Sequence, residues 1–256
     1  MIEQNDYNVR AVERAIQILD SFDDDHPERG VTEISELVDL HKATTHRILT
    51  TLLHYGYIER SSDGLKYKLG VKLIDLGFRV RRRMDVRKEA LPYISLLAQQ
   101  LDESVDLSIF NQGQVLYTEM IQSNHALMIA ASVGRHLPLH CTASGKVFLA
   151  YLPIEKTNDL LSGPFAASTK NTITDPNVLR QQLNIIREEG CAIDNEELEV
   201  GVRAVAAPIF DSSRRIVAAV SIPGPVSRLS DDRIPEIKEA LKRTTNTISS
   251  RLGYLK

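Results

Sequence analysis

Residues 41–70, HKATTHRILTTLLHYGYIERSSDGLKYKLG, restrict the fold more than any other part of the chain. Over Lys42–His54 apolar residues recur at helical spacing, and at about 100° per residue Ile48, Leu49, Leu52 and Leu53 share one face. Ala43, Arg47, Thr50, Thr51 and His54 point away from that face, Thr44 sits at its edge and Thr45 falls on the buried side. Two strand-like pieces follow, residues 57–60 and 65–69, joined by Ser-Ser-Asp-Gly. Asp63-Gly64 supplies the positive φ that a tight hairpin demands. Leu65, Tyr67 and Leu69 alternate with Lys66 and Lys68, so the two lysines share a face. A polar-faced helix followed at once by a cation-bearing hairpin predicts a recognition helix for the major groove and a wing for the flanking phosphates.

The upstream residues complete a helix-turn-helix. Val12, Ala15, Ile16, Leu19 and Phe22 mark a first helix with Asn8 available as its cap, ending in the acidic run DDDHPERG, a solvated loop. Thr32 caps a short second helix with Ile34, Leu37 and Val38 on one face. Charge is segregated along this half. Residues 1–41 hold three basic and eleven acidic side chains, whereas residues 42–83 hold ten basic and three acidic ones. The overall charge of -3 therefore conceals a locally basic stretch suited to a polyanion. Residues 70–83 read as a further helix, with Leu73, Leu76 or Gly77, and Val80 on one side, suited to a linker and a dimer contact. Its terminal RVRRR serves equally well for phosphate contacts, or for salt bridges within a dimer or plain solubility.

A chain of 256 residues fits two domains, residues 1–70 and 86–256, with residues 71–85 as the linker helix. The second half mixes elements. Helices are expected at 87–101, from Ser144, from Asp175 to Gly190, and from a Ser230 or Asp231 cap to Leu252. Strands are expected at 104–110, 115–122, 127–133, 191–193, 203–210 and 216–222, giving an α+β domain with an antiparallel sheet. No apolar run approaches the roughly 18 residues of a membrane span. The start MIEQNDYNVR has no secretory pattern, and Cys141 and Cys191 lie far apart, so a reduced cytoplasmic protein is expected.

Several polar groupings in this half could bear chemistry. Cys141, Thr142, Ala143, Ser144 and Gly145 precede and open a helix, whose free N–H groups suit a carboxylate. Asp194, Glu196, Glu197 and Glu199 have the composition of a metal or acid–base cluster, but a polar loop between strands explains them better. His136, His140 and Cys141 lack the second ligand pair of a zinc site, and neither metal nor cofactor is expected. An enzyme using Cys141 as nucleophile and His140 as base is the alternative function, although neighbours on an extended chain point to opposite faces.

The segments AVERAIQILDSF, KATTHRILTTLLHYGYI, LPLHCTASGKVFLAYLP and GCAIDNEELEVGVRAVAAPIFDSSRRIVAAVSIPGP, in this order, resemble the IclR family of bacterial transcriptional regulators over nearly the whole chain. The resemblance implies a winged helix-turn-helix joined by a linker helix to a GAF/PAS-like α+β effector-binding domain. It also implies homodimers that pair into tetramers on double-stranded operator DNA, and control by a small-molecule effector. On this basis Lys42, Thr44, Arg47 and Thr51 contact DNA, Arg47 being able to bind guanine in bidentate fashion, and Lys66 and Lys68 contact phosphate. Effector ligands carried over are Leu127, Ile129, Ala143, Ser144, Gly145, Asp194, Ala204 and Ser221, with a small organic acid as the expected effector. Two positions depart from relatives: Ala204 stands where some have cysteine, and Pro223, which has no N–H, stands where some have a second serine. The pocket accordingly offers fewer polar ligands than theirs.

Overall fold

The computed structural model of the protein describes residues 9–82, 85–125, 132–163 and 165–254, with the backbone alone at residues 78, 80–82 and 85. The chain divides into two compact units, Met1–Arg83 and Met84–Lys256.

In the first unit α1 (Arg10–Asp20), α2 (Val31–Leu37) and α3 (Lys42–His54) enclose a small core, closed by Ile58 and Tyr67 of the strands β2 (Ile58–Arg60) and β3 (Tyr67–Leu69). Helix α3 has the bounds its sequence pattern predicts, with Thr45 buried and Thr44 half-buried. The Asp-Gly turn is present, Gly64 adopting φ +72°, yet β3 is shorter than expected. Leu65 and Lys66 belong to the turn, where Asp63 Oδ1 accepts the Leu65 N–H at 2.9 Å and Ser61 Oγ accepts the Lys66 N–H at 3.0 Å. Leu65 is 75% and Leu69 44% exposed, so of the three alternating residues only Tyr67 enters the core.

The run expected to be all loop ends in a strand, β1 (Glu28–Arg29), antiparallel to β3. Arg29 is buried, and its guanidinium donates to Ser21 O (2.6 Å), Glu33 (2.7 Å) and Asp23 (3.1 Å). Burial of a charge requires this degree of pairing, and it anchors a strand too short to show a period. Helix α2 begins at Val31 rather than after a Thr32 cap, and the Glu33 carboxylate accepts the Gly30 N–H at 3.3 Å. The expected α1 cap, Asn8, lies outside the described residues. Val12 and Ile16 are 56% and 52% exposed while Ile18 is fully buried, because the core takes the face carrying Ala15, Ile18, Leu19 and Phe22 and leaves the adjoining side of the apolar stripe uncovered. Helix α4 (Lys72–Arg82) starts where Glu59 Oε1 accepts the Val71 N–H at 3.0 Å.

The second unit contains α5 (Asp85–Leu101), β4 (Val105–Asn111), β5 (Gln114–Ile121), β6 (His136–Leu137), α6 (Ala143–Tyr151), α7 (Ile154–Leu160), α8 (Pro176–Glu189), β7 (Ala192–Asn195), β8 (Val202–Phe210), β9 (Ile216–Pro225) and α9 (Ile234–Arg251). The strands form one antiparallel sheet in the order β6-β5-β4-β9-β8-β7. Period-two alternation separates its faces. Val105, Leu107, Val205 and Val220 pack with α5 and α9, whereas Ala192, Ala206 and Ala219 pack with α6 and α8. The small side chains of the second face let α6 lie close against β8 and β9.

Asp175 caps α8 and Gly190 ends it in the left-handed conformation, as the sequence predicts. Helix α9 starts later than expected, at Ile234. Ser230 does not cap it; its carbonyl instead accepts from Arg233 and Ile234 in the preceding turn. Most of the strand expected at 127–133 lies outside the described residues.

Candidate nucleic-acid interface and effector cavity

On α3, Lys42, Arg47 and Thr51 are exposed beside His46, Thr50 and His54, and Thr44 borders them. Thr51 Oγ1 donates to Arg47 O at 3.0 Å, a local bond that keeps this hydroxyl on the helix. Neither Lys42 nor Arg47 has an ion-pair partner among the described residues, so both cations face solvent. In the hairpin Lys66 is exposed, with Glu33 and Asp63 within its electrostatic reach. Lys68 occupies the middle strand and stands in register between Glu28 of β1 and Glu59 of β2. Directly opposed side chains share a sheet face, so two carboxylates offset its charge. Arg60, not anticipated from the sequence, lies 4.2 Å over the Tyr67 ring and donates to Gly64 O at 2.9 Å, bracing the turn. Of the RVRRR cluster, Arg79 pairs with Asp75 one helical turn away at 2.8 Å, while the side chains of Arg81, Arg82 and Arg83 fall outside the described ones.

In the second unit Thr142 caps α6. Its Oγ1 accepts the Gly145 N–H at 3.1 Å, and its hydroxyl donates to Pro138 O at 2.7 Å. Among the described residues no acceptor takes the N–H groups of Ala143 and Ser144. These residues line a cavity of about 80 Å³ that the positive end of α6 therefore faces. The sheet supplies another wall. Asp194, Ala204 and Pro223 stand opposite one another across β7, β8 and β9, and in the next row Ser221 stands opposite Asp106 of β4. Tyr117 and Arg135 also line the cavity.

Ala143, Ser144, Asp194, Ala204 and Ser221, all nominated from sequence, are thus brought together. Gly145 is not on the wall. Its N–H is taken by Thr142, and a Cβ there would lie 2.2 Å from Leu139 O, so close packing of α6 on the chain before it requires glycine. Leu127 and Ile129 lie outside the described residues. Asp106, Tyr117 and Arg135 were missed. Asp106 could have been found as the polar residue between Val105 and Leu107, both of which pack on the opposite face.

Burial governs the electrostatics. It pushes the Asp106 carboxyl well above the ordinary carboxylate range and raises the Tyr117 phenol. Asp194 is pushed up to about 6 by burial, opposed by the Glu197 N–H, which donates to its Oδ1 at 2.7 Å. Glu197 pairs with the fully buried Lys146 of α6, and Glu196 accepts the Gly201 N–H at 2.8 Å. The acidic stretch is therefore a hydrogen-bonded loop, and among the described residues no group of three His, Cys, Asp or Glu side chains could hold a metal ion.

A thiol nucleophile does not fit. Burial pushes Cys141 up to about 11, and His140 stacks on Phe165 with Nε2 3.0 Å from Ala166 O, so that nitrogen is engaged by a backbone carbonyl. A winged helix-turn-helix with free cations on its third helix, joined in one chain to a sheet domain with a polar cavity, defines a ligand-responsive transcriptional regulator rather than an enzyme. Sequence comparison gives the family. The profile of the bacterial transcriptional regulator IclR C-terminal domain matches residues 78–250, and that of the IclR helix-turn-helix domain matches residues 11–62. The chain belongs to the IclR family. It is 36% identical to the HTH-type transcriptional regulator XynR of Escherichia coli (strain K12) over 96% of this chain and 98% of that one. The corresponding figures for KdgR of the same strain are 33%, 96% and 94%. Among solved structures, an IclR homologue complexed with 4-hydroxybenzoate from Microbacterium hydrocarbonoxydans superposes with a TM-score of 0.83 at 26% identity, covering 94% of this chain and 98% of that one. A regulator from Alicyclobacillus acidocaldarius gives 0.84 at 28%, covering 95% and 99%. No described helix is long and apolar enough to cross a membrane.

Proposed function

We propose that the protein is a cytoplasmic regulator that binds double-stranded operator DNA as a homodimer, two of which pair on DNA, and that a small organic acid in the α6 cavity sets its affinity. The observation that carries the effector half is the pair of uncommitted N–H groups at Ala143 and Ser144 facing that cavity, a setting that favours a carboxylate. The complex of the Microbacterium homologue with 4-hydroxybenzoate supports an acid. Lys42, Thr44, Arg47 and Thr51 read or clamp the major groove, and Lys66 meets phosphate. Lys68 contributes less, since Glu28 and Glu59 flank it. Apolar Val9 at the N-cap of α1 and Val12 and Ile16 on it, with Val71 just before α4 and Ile74 on it, stay exposed in one copy, which supports pairing of this unit with a second copy. The acid acts by binding one arrangement of the dimer more tightly than another, since equal affinity for both would shift nothing.

A mobility-shift series tests this. Arg47→Ala should abolish specific operator binding with the fold intact. Lys66→Ala should weaken binding to all sequences alike and flatten its salt dependence by roughly one counterion. Unchanged operator affinity in Arg47→Ala would remove α3 from the reading role.

A further inference from the structure

The wall of the α6 cavity formed by the sheet is chemically unlike the helix wall. Asp106 is buried there, and its Oδ1 has no hydrogen-bond partner among the described residues. Across the strands it stands opposite Ser221 of β9 and Met120 of β5, and it shares the cavity with Tyr117 and with the carboxyl groups of Asp194 and Glu199. Arg135 is the cavity's only cationic side chain among the described lining residues, and the structure shows no ion pair between it and Asp106. A buried polar atom left unpaired costs stability, and such groups persist where a ligand completes them.

Building on the organic-acid reading above, we propose that Asp106 sets effector specificity: its carboxyl, which the fold leaves without a partner at Oδ1, hydrogen-bonds a hydroxyl of the effector, so the effector is a small hydroxylated carboxylic acid. The carboxylate end meets the Ala143 and Ser144 N–H groups, and the hydroxyl end meets the sheet. Burial favours the protonated form of the Asp106 carboxyl, which can both donate and accept, and a hydroxyl is the complementary group for that. A plain aliphatic acid leaves Asp106 orphaned, which is the discrimination a polar pocket makes well. The size of the cavity favours a small metabolite over the ligands of several hundred Å³ pockets.

The test is calorimetric titration of the full-length protein with acids paired by carbon skeleton: propanoate against glycerate, butanoate against threonate, and hexanoate against gluconate. Alanine is included as the amino-acid counterpart. At one skeleton length or more, the hydroxylated acid should bind at least tenfold more tightly than its plain partner. Asp106→Leu should erase that preference while raising the thermal midpoint of the ligand-free protein, because an unpaired buried polar group is gone. Asp106→Asn, which also donates and accepts, should keep much of the preference. Equal binding within every pair, tighter binding of alanine, or an undiminished preference in Asp106→Leu would overturn the assignment while leaving an acid-binding cavity in place. Absence of binding by every acid, with Ser144→Trp indistinguishable from the unaltered protein, would overturn the organic-acid reading and this assignment with it.

Discussion

Lys146 and Glu197 tie α6 to the loop after β7 beside the α6 cavity, and their pairing can be measured. Lys146 is wholly buried in α6 and Glu197 nearly so. Glu197 Oε1 takes the ammonium, with only a long 3.4 Å contact from the Asn195 N–H beside it, and Oε2 has no partner among the described residues. In Lys146→Met the carboxylate therefore keeps almost nothing to offset its desolvation. Removal of one partner of a buried pair costs about 3–5 kcal/mol. For a domain of this size about 2–4 °C is lost per kcal/mol, so the thermal midpoint of the second unit should drop by roughly 6–20 °C. Glu197→Leu, which strands the buried ammonium, should cost a comparable amount. The loop itself is held independently: Thr169 Oγ1 donates to Glu196 O and Thr172 Oγ1 to Glu197 O, both at 2.6 Å. The double variant Lys146→Met/Glu197→Leu should consequently fold and recover most of the loss, since an apolar pair of similar volume is often as stable as the ions it replaces. Denaturant unfolding of the four proteins, followed by circular dichroism, closes the cycle. Losses below about 1 kcal/mol in the single variants, or losses that simply add in the double variant, would refute the account, because they would mean water already solvates the pair.

Other perturbations give outcomes of known sign. Folding raises Asp194 from 3.8 to about 6, so between those values the native state holds a proton that the unfolded chain has released, and stability falls as pH rises through the interval. The penalty, up to about 3 kcal/mol at about 1.4 per unit, is complete above pH 6 or so, and Asp194→Asn should lack it; thermal unfolding of both proteins between pH 4 and about 7 measures the difference. Gly145→Ala places a Cβ 2.2 Å from Leu139 O and 2.4 Å from Leu139 Cα, backbone atoms that yield little, so it should cost about 1–3 kcal/mol or more in denaturant unfolding and blunt ligand-induced thermal shifts. Cys141 and Cys191, both buried and pushed up to about 11, should resist iodoacetamide at neutral pH until the protein is denatured; rapid labelling of native Cys141 would reopen the nucleophile reading.

Helix α3 was legible because its pattern is local. The leucine spacing of α3 and the Asp-Gly turn specify geometry within a few residues, and both stand where the sequence puts them. Elements decided by distant partners were not. Strand β1 exists because Glu28 and Arg29 meet β3 almost forty residues later and because Asp23, Glu33 and Ser21 surround the Arg29 guanidinium. Along α1 the apolar stripe is real, but nothing in its periodicity says that the core stops short of Val12 and Ile16.

The cavity divides along the same line. Ala143, Ser144, Asp194, Ala204 and Ser221 came from family segments, while Asp106, Tyr117 and Arg135 came only from the sheet. Strand order places β4 next to β9, although more than a hundred residues separate Asp106 from Ser221 in the chain. Until that pairing is known, Ser-Val-Asp-Leu-Ser reads as an alternating strand with an ordinary solvent-facing acid. In the sheet both faces are covered by helices, so the same alternation buries the acid, and its free oxygen becomes a polar atom the fold alone does not satisfy. An aliphatic residue at this position would be more stable in the empty protein; retention of a carboxyl there makes sense where binding a ligand completes its hydrogen bonds.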